Sequence, residues 1–203
     1  MTIAPPAAEP QQRRAVFLDR DGVINVDTGY PHRVEELELT PTAAAAIRRL
    51  NGAGVLAIVV TNQSGVARGM FDLAAVDRFH DAIQQVLQAH GARIDAFYVA
   101  PYHPAGIVER FAIEHEDRKP RPGMLLRALR DWPIDRDASV LIGDKQSDLE
   151  AAKCAGIEAM LVPSDTCDLA RTIEDWLARK PGGSAVPDGD AGREQRTELG
   201  GSA

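Results

Sequence analysis

A three-layer, Rossmann-like α/β fold, with a mainly parallel sheet of five or six strands between two layers of helices, is what this sequence predicts. Two observations carry the prediction. Short, continuous apolar runs alternate with amphipathic helical stretches through most of the chain, the pattern of strands joined by helical crossovers. The runs are apolar without interruption, as strands covered on both faces are. A third observation concerns use: acidic and small polar residues follow three of the runs. In an open parallel sheet those positions share one edge, where ligands bind.

The elements follow in order. AVFL (Ala15–Leu18) is the first strand. Thr40–Gly54 reads as a helix, with Thr40 as candidate cap, Pro41 in the first turn, a run of alanines, and Gly52 and Gly54 as stops. VLAIVV (Val55–Val60) is a second, β-branched strand. From Asp72 to His90 the residues Leu73, Val76, Phe79, Ile83, Val86 and Leu87 recur at helical spacing, and Gly91 ends the run. AFYVA (Ala96–Ala100) is the third strand and GMLLRALRDW the next helix. SVLIGD leads into the helix SDLEAAKCAG, and EAMLVP (Glu158–Pro163) into a last helix, Leu169–Ala178. The connections between these elements are too short for a separate cap domain.

Composition bounds the rest. The chain has 203 residues, enough for one domain with a real core. Its 44% hydrophobic and 26% charged residues are those of a soluble globular protein. A net charge of −7 argues against a bulk electrostatic grip on nucleic acid or acidic lipid. No apolar run reaches membrane-spanning length. MTIAPPAAEPQQRR lacks the apolar centre of a secretory signal, and Cys154 and Cys167 are too few for a disulfide scaffold or a cysteine zinc site. A cytoplasmic monomer is expected, with residues 15–179 as its domain. Residues 1–14 and 180–203 are expected to be disordered tails, since neither has the apolar periodicity to offset the entropy of ordering.

On the predicted edge, Asp19 and Asp21 follow strand one in FLDRDGVIN. Thr61, Asn62, Gln63 and Ser64 follow strand two, and Gly143 and Asp144 follow strand four. Arg118 and Lys119, in DRKPRPGM, can reach the same edge. Acids without cysteines or a close histidine pair suit a hard, oxygen-preferring cation such as Mg²⁺. Two unscreened carboxylates ~4 Å apart cost roughly 4 kcal/mol at an effective dielectric of ~20, so a cation is close to obligatory. Mg²⁺ and Lys119 would neutralise a phosphoryl group while Thr61 and loop N–H groups bond its oxygens. One acid can then attack phosphorus, and the other can protonate the leaving alkoxide and later deprotonate a water. Each motif alone has a bland reading: a solvated D-x-D turn, an Asx turn, a basic turn, a helix cap. Their joint placement favours the chemical one. A phospho-accepting receiver domain would also cluster Asp, Thr and Lys on such a sheet, but it has no need of Asp21.

FLDRDGVIN, VVTNQSGVARG, RKPRPGM and LIGDKQSD, in this order, resemble the four motifs of the haloacid dehalogenase (HAD) superfamily, phosphatase branch. More narrowly they resemble the heptose 1,7-bisphosphate and histidinol-phosphate phosphatases, over about residues 15–178. The resemblance implies that Asp19 is the nucleophile and a Mg²⁺ ligand. Asp21 would be the general acid/base and offer its backbone carbonyl to the metal, and Asp144 would complete the protein ligands. Thr61 and Lys119 would hold the phosphoryl group. Asp27, Thr28, Gly29, Tyr30, Asn62, Gln63, Ser64, Arg118 and Lys145 would contact substrate. Asp148 would orient Lys145 or the metal shell. The stretch GYPHRVEELEL is more similar to the heptose enzymes, which implies release of the 7-phosphate of D-glycero-D-manno-heptose 1,7-bisphosphate in the making of nucleotide-activated heptose. Histidinol phosphate or another small sugar phosphate is the alternative. One pattern departs. Where the subfamily often carries a structural zinc, this chain has Ala100, Tyr102, His115 and Asp117. A four-ligand N/S site is missing, so zinc is expected to be absent and packing to hold the loop. A metal on His103, His115 and Asp117 is left open.

Overall fold

The computed structural model describes residues 11–179. Five strands form one parallel sheet, β1 (Ala15–Leu18), β2 (Leu56–Asn62), β3 (Ala96–Ala100), β4 (Val140–Gly143) and β5 (Glu158–Leu161), in the order β3-β2-β1-β4-β5. The central strand β1 pairs Phe17 with Ile58 on one side and with Leu141 on the other. All four of its residues are fully buried, which is why its sequence is apolar at every position.

Side-chain alternation divides the core. Val16, Leu18, Ala57, Val59, Val140 and Ile142 face α1 (Ala43–Gly52), α2 (Leu73–Ala89) and α5 (Leu169–Arg179), whose Ile47, Phe79, Ile83 and Trp176 close that layer. Phe17, Ile58, Val60 and Leu141 face α3 (Gly123–Asp131) and α4 (Gln146–Ala155) through Met124, Leu125, Ala151 and Ala152. Each fully buried large apolar side chain contributes about 1.5–3 kcal/mol. Helix α2 starts on Asp72, whose carboxylate accepts the Ala75 N–H at 2.8 Å.

Two expectations need adjusting. Thr40 does not cap α1: its hydroxyl donates to the Val23 carbonyl at 2.7 Å, and the helix begins two residues later, after Thr42. Arg13 and Arg14, placed in the tail, carry ladder bonds. The Arg13 N–H donates to the Pro133 carbonyl at 2.7 Å, and the Arg14 carbonyl accepts from Leu56 at 2.9 Å. The rest of the expected tails, 1–10 and 180–203, lies outside the described residues.

Strands β2 and β3 are added on one side of β1, and β4 and β5 on the other. The chain direction therefore switches between β1 and β4, where the crevice of a doubly wound sheet opens. Among the described residues nothing stands apart as a cap. The 101–122 connection holds only a 3₁₀ turn at Glu109–Phe111.

Candidate active site

Asp19 leaves β1 at that switch point, still tied to β4 by its N–H on the Ile142 carbonyl at 3.0 Å. The chain then turns sharply at Gly22, at φ +86°. A Cβ there would lie 2.6 Å from Asp144 Oδ2, so only glycine lets the two acidic loops close on each other. Asp148, in the first turn of α4, folds back to accept the Lys145 N–H at 3.0 Å. The space for its carboxylate is the Cβ that Gly143 lacks. Asp19, Asp144 and Asp148 each bring an oxygen within 4.8 Å of the others.

Lys119 enters this acidic group from the β3–α3 connection. Its ammonium stands 3.0 Å from Asp19 Oδ1 and 2.6 Å from Asp148 Oδ1, and donates to the Val60 carbonyl at 2.8 Å. Burial works against its charge, but the Asp19 and Asp148 carboxylates outweigh it and raise its pKa. Three acids and one cation leave an excess of negative charge. Burial raises the pKa of Asp144, the Asp19 carboxylate adds to this, and Lys145 opposes it. Asp144 Oδ1 is buried with no hydrogen-bond partner. An orphaned carboxylate oxygen beside a second carboxylate fits a hard divalent cation. Asp148 Oδ1 also lacks a hydrogen bond but is ion-paired with Lys119 at 2.6 Å, and its Oδ2 accepts the Lys145 N–H, so Asp19 and Asp144 are the side chains better suited to hold one.

The end of β2 and the loop after it support both neighbours. The Asn62 amide closes on the Lys119 backbone, donating to its carbonyl and accepting its N–H, each at 3.0 Å. Asn62 therefore places Lys119, and its amide is committed there. Gln63, almost fully buried, donates to Thr61 Oγ1 and to Asp21 Oδ2, both at 2.9 Å. Asp21 also receives Asn25 Nδ2 at 3.0 Å and a bidentate grip from Arg20. Its carboxylate is thereby held by Arg20, Asn25 and Gln63, apart from the Asp19, Asp144 and Asp148 group.

Above this floor lie half-buried Asp27 and the exposed Thr28, Gly29 and Tyr30. Tyr30 holds a left-handed φ of 62°, unusual for a side chain of its size. Lys145 reaches Asp27 Oδ2 at 3.2 Å and Asp144 Oδ2 at 3.8 Å. Burial pulls its pKa down, while Asp19, Asp144 and Asp27 outweigh this and raise it. The wall is the 101–117 segment. There Tyr102 stacks on His115 at 3.7 Å between centroids and meets Phe111 edge-on at 5.9 Å. The Tyr102 carbonyl accepts from Arg118 Nη1 at 3.1 Å. Arg68 Nη2 lies 3.1 Å from His103 Nε2. Burial, then Arg68, lowers the pKa of Arg118.

Comparison with known proteins agrees with this fold. Residues 117–185 match the HAD-hydrolase-like family model. The chain is 44% identical over 162 residues to the D-glycero-β-D-manno-heptose-1,7-bisphosphate 7-phosphatase of Rhodopseudomonas palustris, covering 80% of this chain and 90% of that one. The chain belongs to the HAD superfamily, in its heptose-bisphosphate phosphatase family. The enzyme of that name from Escherichia coli K12 is 43% identical over 70% of this chain and 75% of its own. The D,D-heptose 1,7-bisphosphate phosphatase from B. bronchiseptica, solved with magnesium and phosphate, superposes with a TM-score of 0.72 at 32% identity. That match covers 82% of this chain and 99% of that one.

In this HAD chain the fold gathers Asp19, Asp144, Thr61 and Lys119 at one strand edge, with Asp21, Gln63, Arg118 and Lys145 around them. Ser64 is buried under the loop, its carbonyl accepting the Arg68 N–H at 3.1 Å. Thr28, Gly29 and Tyr30 stay at the rim. Asp148 takes another part than orienting Lys145 alone, since its carboxylate is the second counter-charge of Lys119. Its spacing of four residues from Asp144 at a helix start was the signal for that. Arg68 and His103 come beside Arg118 only through the tertiary fold, and no local pattern marks them.

Proposed function

We propose that this protein is a magnesium-dependent phosphatase that removes the 7-phosphate of D-glycero-D-manno-heptose 1,7-bisphosphate, working through an aspartyl phosphate on Asp19. The reading rests on one observation: a nucleophile-type carboxylate, Asp19, is held by buried Lys119 beside the orphaned oxygen of Asp144, at the switch point of the sheet. The relatives named above carry this activity in their names, which supports the choice of ester.

Asp19 attacks phosphorus in line, the bond from phosphorus to the sugar oxygen breaks, and Asp21 gives its proton to the departing alkoxide. Asp21 then takes a proton from a water that attacks the aspartyl phosphate, returning Asp19 and releasing phosphate. Lys119 and the Thr61 hydroxyl hold the phosphoryl oxygens through both steps. Arg118, Lys145 and the Asp27–Tyr30 turn hold the sugar and its second phosphate. Mg²⁺, held by Asp19, Asp144 and the Asp21 carbonyl, would neutralise the phosphoryl oxygens and the crowded acids.

The same reading makes the enzyme a cytoplasmic monomer acting on a small sugar phosphate, a step toward nucleotide-activated heptose for lipopolysaccharide. Among the described residues no helix is long and apolar enough to cross a membrane. The Tyr102–His115 stack and the Arg118 bond to Tyr102 support a wall held without zinc, and zinc at one equivalent per purified chain would contradict it. Phosphate release is the deciding assay, from both anomers of the heptose bisphosphate, histidinol phosphate and other sugar phosphates. The heptose bisphosphate should give the highest kcat/KM, EDTA should abolish turnover and Mg²⁺ restore it. Preference for histidinol phosphate, or near-wild-type turnover by Asp21→Asn, would overturn the reading.

A further inference from the structure

Arg20, the residue between the two aspartates, does not face solvent. It is fully buried, among the largest side chains in the protein to be so. Its guanidinium reaches in four directions. Nε donates to Asp21 Oδ1 at 2.8 Å and Nη2 to Asp21 Oδ2 at 3.0 Å. Nη2 also donates to the Pro31 carbonyl at 2.9 Å, and Nη1 stands 3.3 Å from His80 Nε2. The guanidinium carbon lies 4.7 Å from the centroid of the Phe79 ring. His80 in turn is stacked on Phe97, 4.3 Å between centroids.

This arrangement is built for more than holding the core together. A buried ion pair is a weak source of stability, because desolvating both charges costs about what their attraction returns, and an apolar replacement often serves as well. What a bidentate guanidinium does supply is direction. Arginine can only donate, so His80 Nε2 must accept, which makes His80 a neutral imidazole with its proton on Nδ1. Burial and the Arg20 charge hold its pKa down to about 3, consistent with that form. The back of the guanidinium is thus fixed by His80 and Phe79, and its front by the Pro31 carbonyl. Only Asp21 remains for the fork to orient. Pro31 directly follows Tyr30, the last residue of the turn proposed to contact substrate.

We propose that Arg20 is a positioning residue that sets the Asp21 carboxylate in register with the Asp27–Tyr30 turn, so that the acid/base stands at a fixed place beside a sugar that other residues bind. The proposal rests on the reading of Asp21 as the acid/base. With the fork gone, Asp21 keeps Asn25 and Gln63 but loses its bidentate partner, and proton delivery to the alkoxide becomes less frequent. Substrate binding, which other residues carry, changes little.

The experiment compares Arg20→Lys with wild type on heptose 1,7-bisphosphate and on p-nitrophenyl phosphate, whose leaving group departs without a proton. The lysine keeps the charge and loses the fork. The expected result on the sugar is a kcat lower by about 30-fold or more with KM within about threefold, the scale of a misplaced general acid. On p-nitrophenyl phosphate the first-turnover release of p-nitrophenolate should stay within about threefold of wild type, followed by a slow steady state as the aspartyl phosphate awaits its base. Equal losses on both substrates in the first turnover, or an unchanged kcat on the sugar, would overturn the proposal. Two variants at His80 guard against an Arg20→Lys protein that does not fold. His80→Gln, which keeps an acceptor for Arg20, should hold kcat within about threefold, and His80→Met, which removes it, should lower kcat about tenfold. Identical kcat values for this pair would count against Arg20. An Asp21→Asn protein that turns over at the wild-type rate would remove the acid/base reading itself, and the proposal with it. An inactive Asp21→Asn beside an unimpaired Arg20→Lys would remove only the proposal.

Discussion

At the floor of the site Lys119 sits between Asp19 and Asp148, and Lys145 between Asp27 and Asp144. In the wall above, Arg68, His103 and Arg118 crowd together. The carboxylate that answers them, Glu114, is exposed and paired with Arg121 at 3.1 Å. Acid meets both of these cations, buried Lys119 and the more exposed Lys145 above it, and leaves a surplus of negative charge at the floor. The wall keeps positive groups beside one another, with burial and Arg68 both depressing the pKa of Arg118. A floor of this kind suits any phosphoryl group. A wall of this kind suits a ligand that brings a further anion, as a bisphosphate does on the function proposed above.

The comparison can be broken at several points. The largest effect is expected from Asp19→Asn, which should lower turnover by at least about 10⁴-fold, the scale on which a nucleophile's loss is read. Its circular dichroism spectrum should be unchanged, and a variant that still turns over would empty the floor of its assigned chemistry. Next is Asp148→Ala, which takes one of two counter-charges from a buried ammonium. Stability by urea titration should fall by about 3 kcal/mol, and kcat by about 100-fold, since breaking one side of a buried ion pair leaves its partner stranded. A loss of activity without loss of stability would mean that Asp148 serves the metal more than Lys119.

The third test lies behind the floor. The pKa of His80 is lowered from 6.5 to about 3, by burial first and then by Arg20. As pH falls through 6.5 the unfolded chain takes up a proton that the folded chain refuses until about pH 3. The stability contribution is therefore complete above pH 6.5 and is lost on acidification, by about 2 kcal/mol at pH 5. Urea melts of wild type and His80→Gln at pH 7 and pH 5 should differ in their pH dependence by that amount, and parallel pH dependences would show that His80 takes up its proton in the fold as readily as in the unfolded chain. The smallest effect is expected in the wall. Arg118→Ala should raise KM for the heptose bisphosphate about tenfold, leave kcat within about threefold, and move KM for p-nitrophenyl phosphate much less. Equal changes on both substrates would assign Arg118 to the transferring phosphoryl group and merge the wall with the floor.

What could be read in advance follows the same division. The strands, the helices and the acids at the strand ends were legible because each leaves a local mark: a β-branched run, a helical period, a polar residue straight after an apolar stretch. Asp19, Asp144 and Lys119 meet because parallel topology allows few other outcomes. Thr40 misled because a threonine before a proline looks like a cap, while its hydroxyl was needed on the Val23 carbonyl. The amide of Asn62 could have bonded sugar as easily as backbone, and only the fold sends it to Lys119. Arg20 was the hardest to place. Nothing local tells an arginine in a charged turn that it will be fully buried beside His80, 60 residues further along the chain.

Gly22 and Gly143 set a limit on how this protein can change. A single methyl group at either position would collide with the Asp144 or Asp148 carboxylate. The innermost layer is therefore closed to gradual adjustment by side-chain size. New ester preferences, whether selected in the laboratory or acquired over generations, would have to be written into the exposed positions of the 101–117 segment and the Asp27–Tyr30 turn, where substitutions meet solvent instead of the reaction centre.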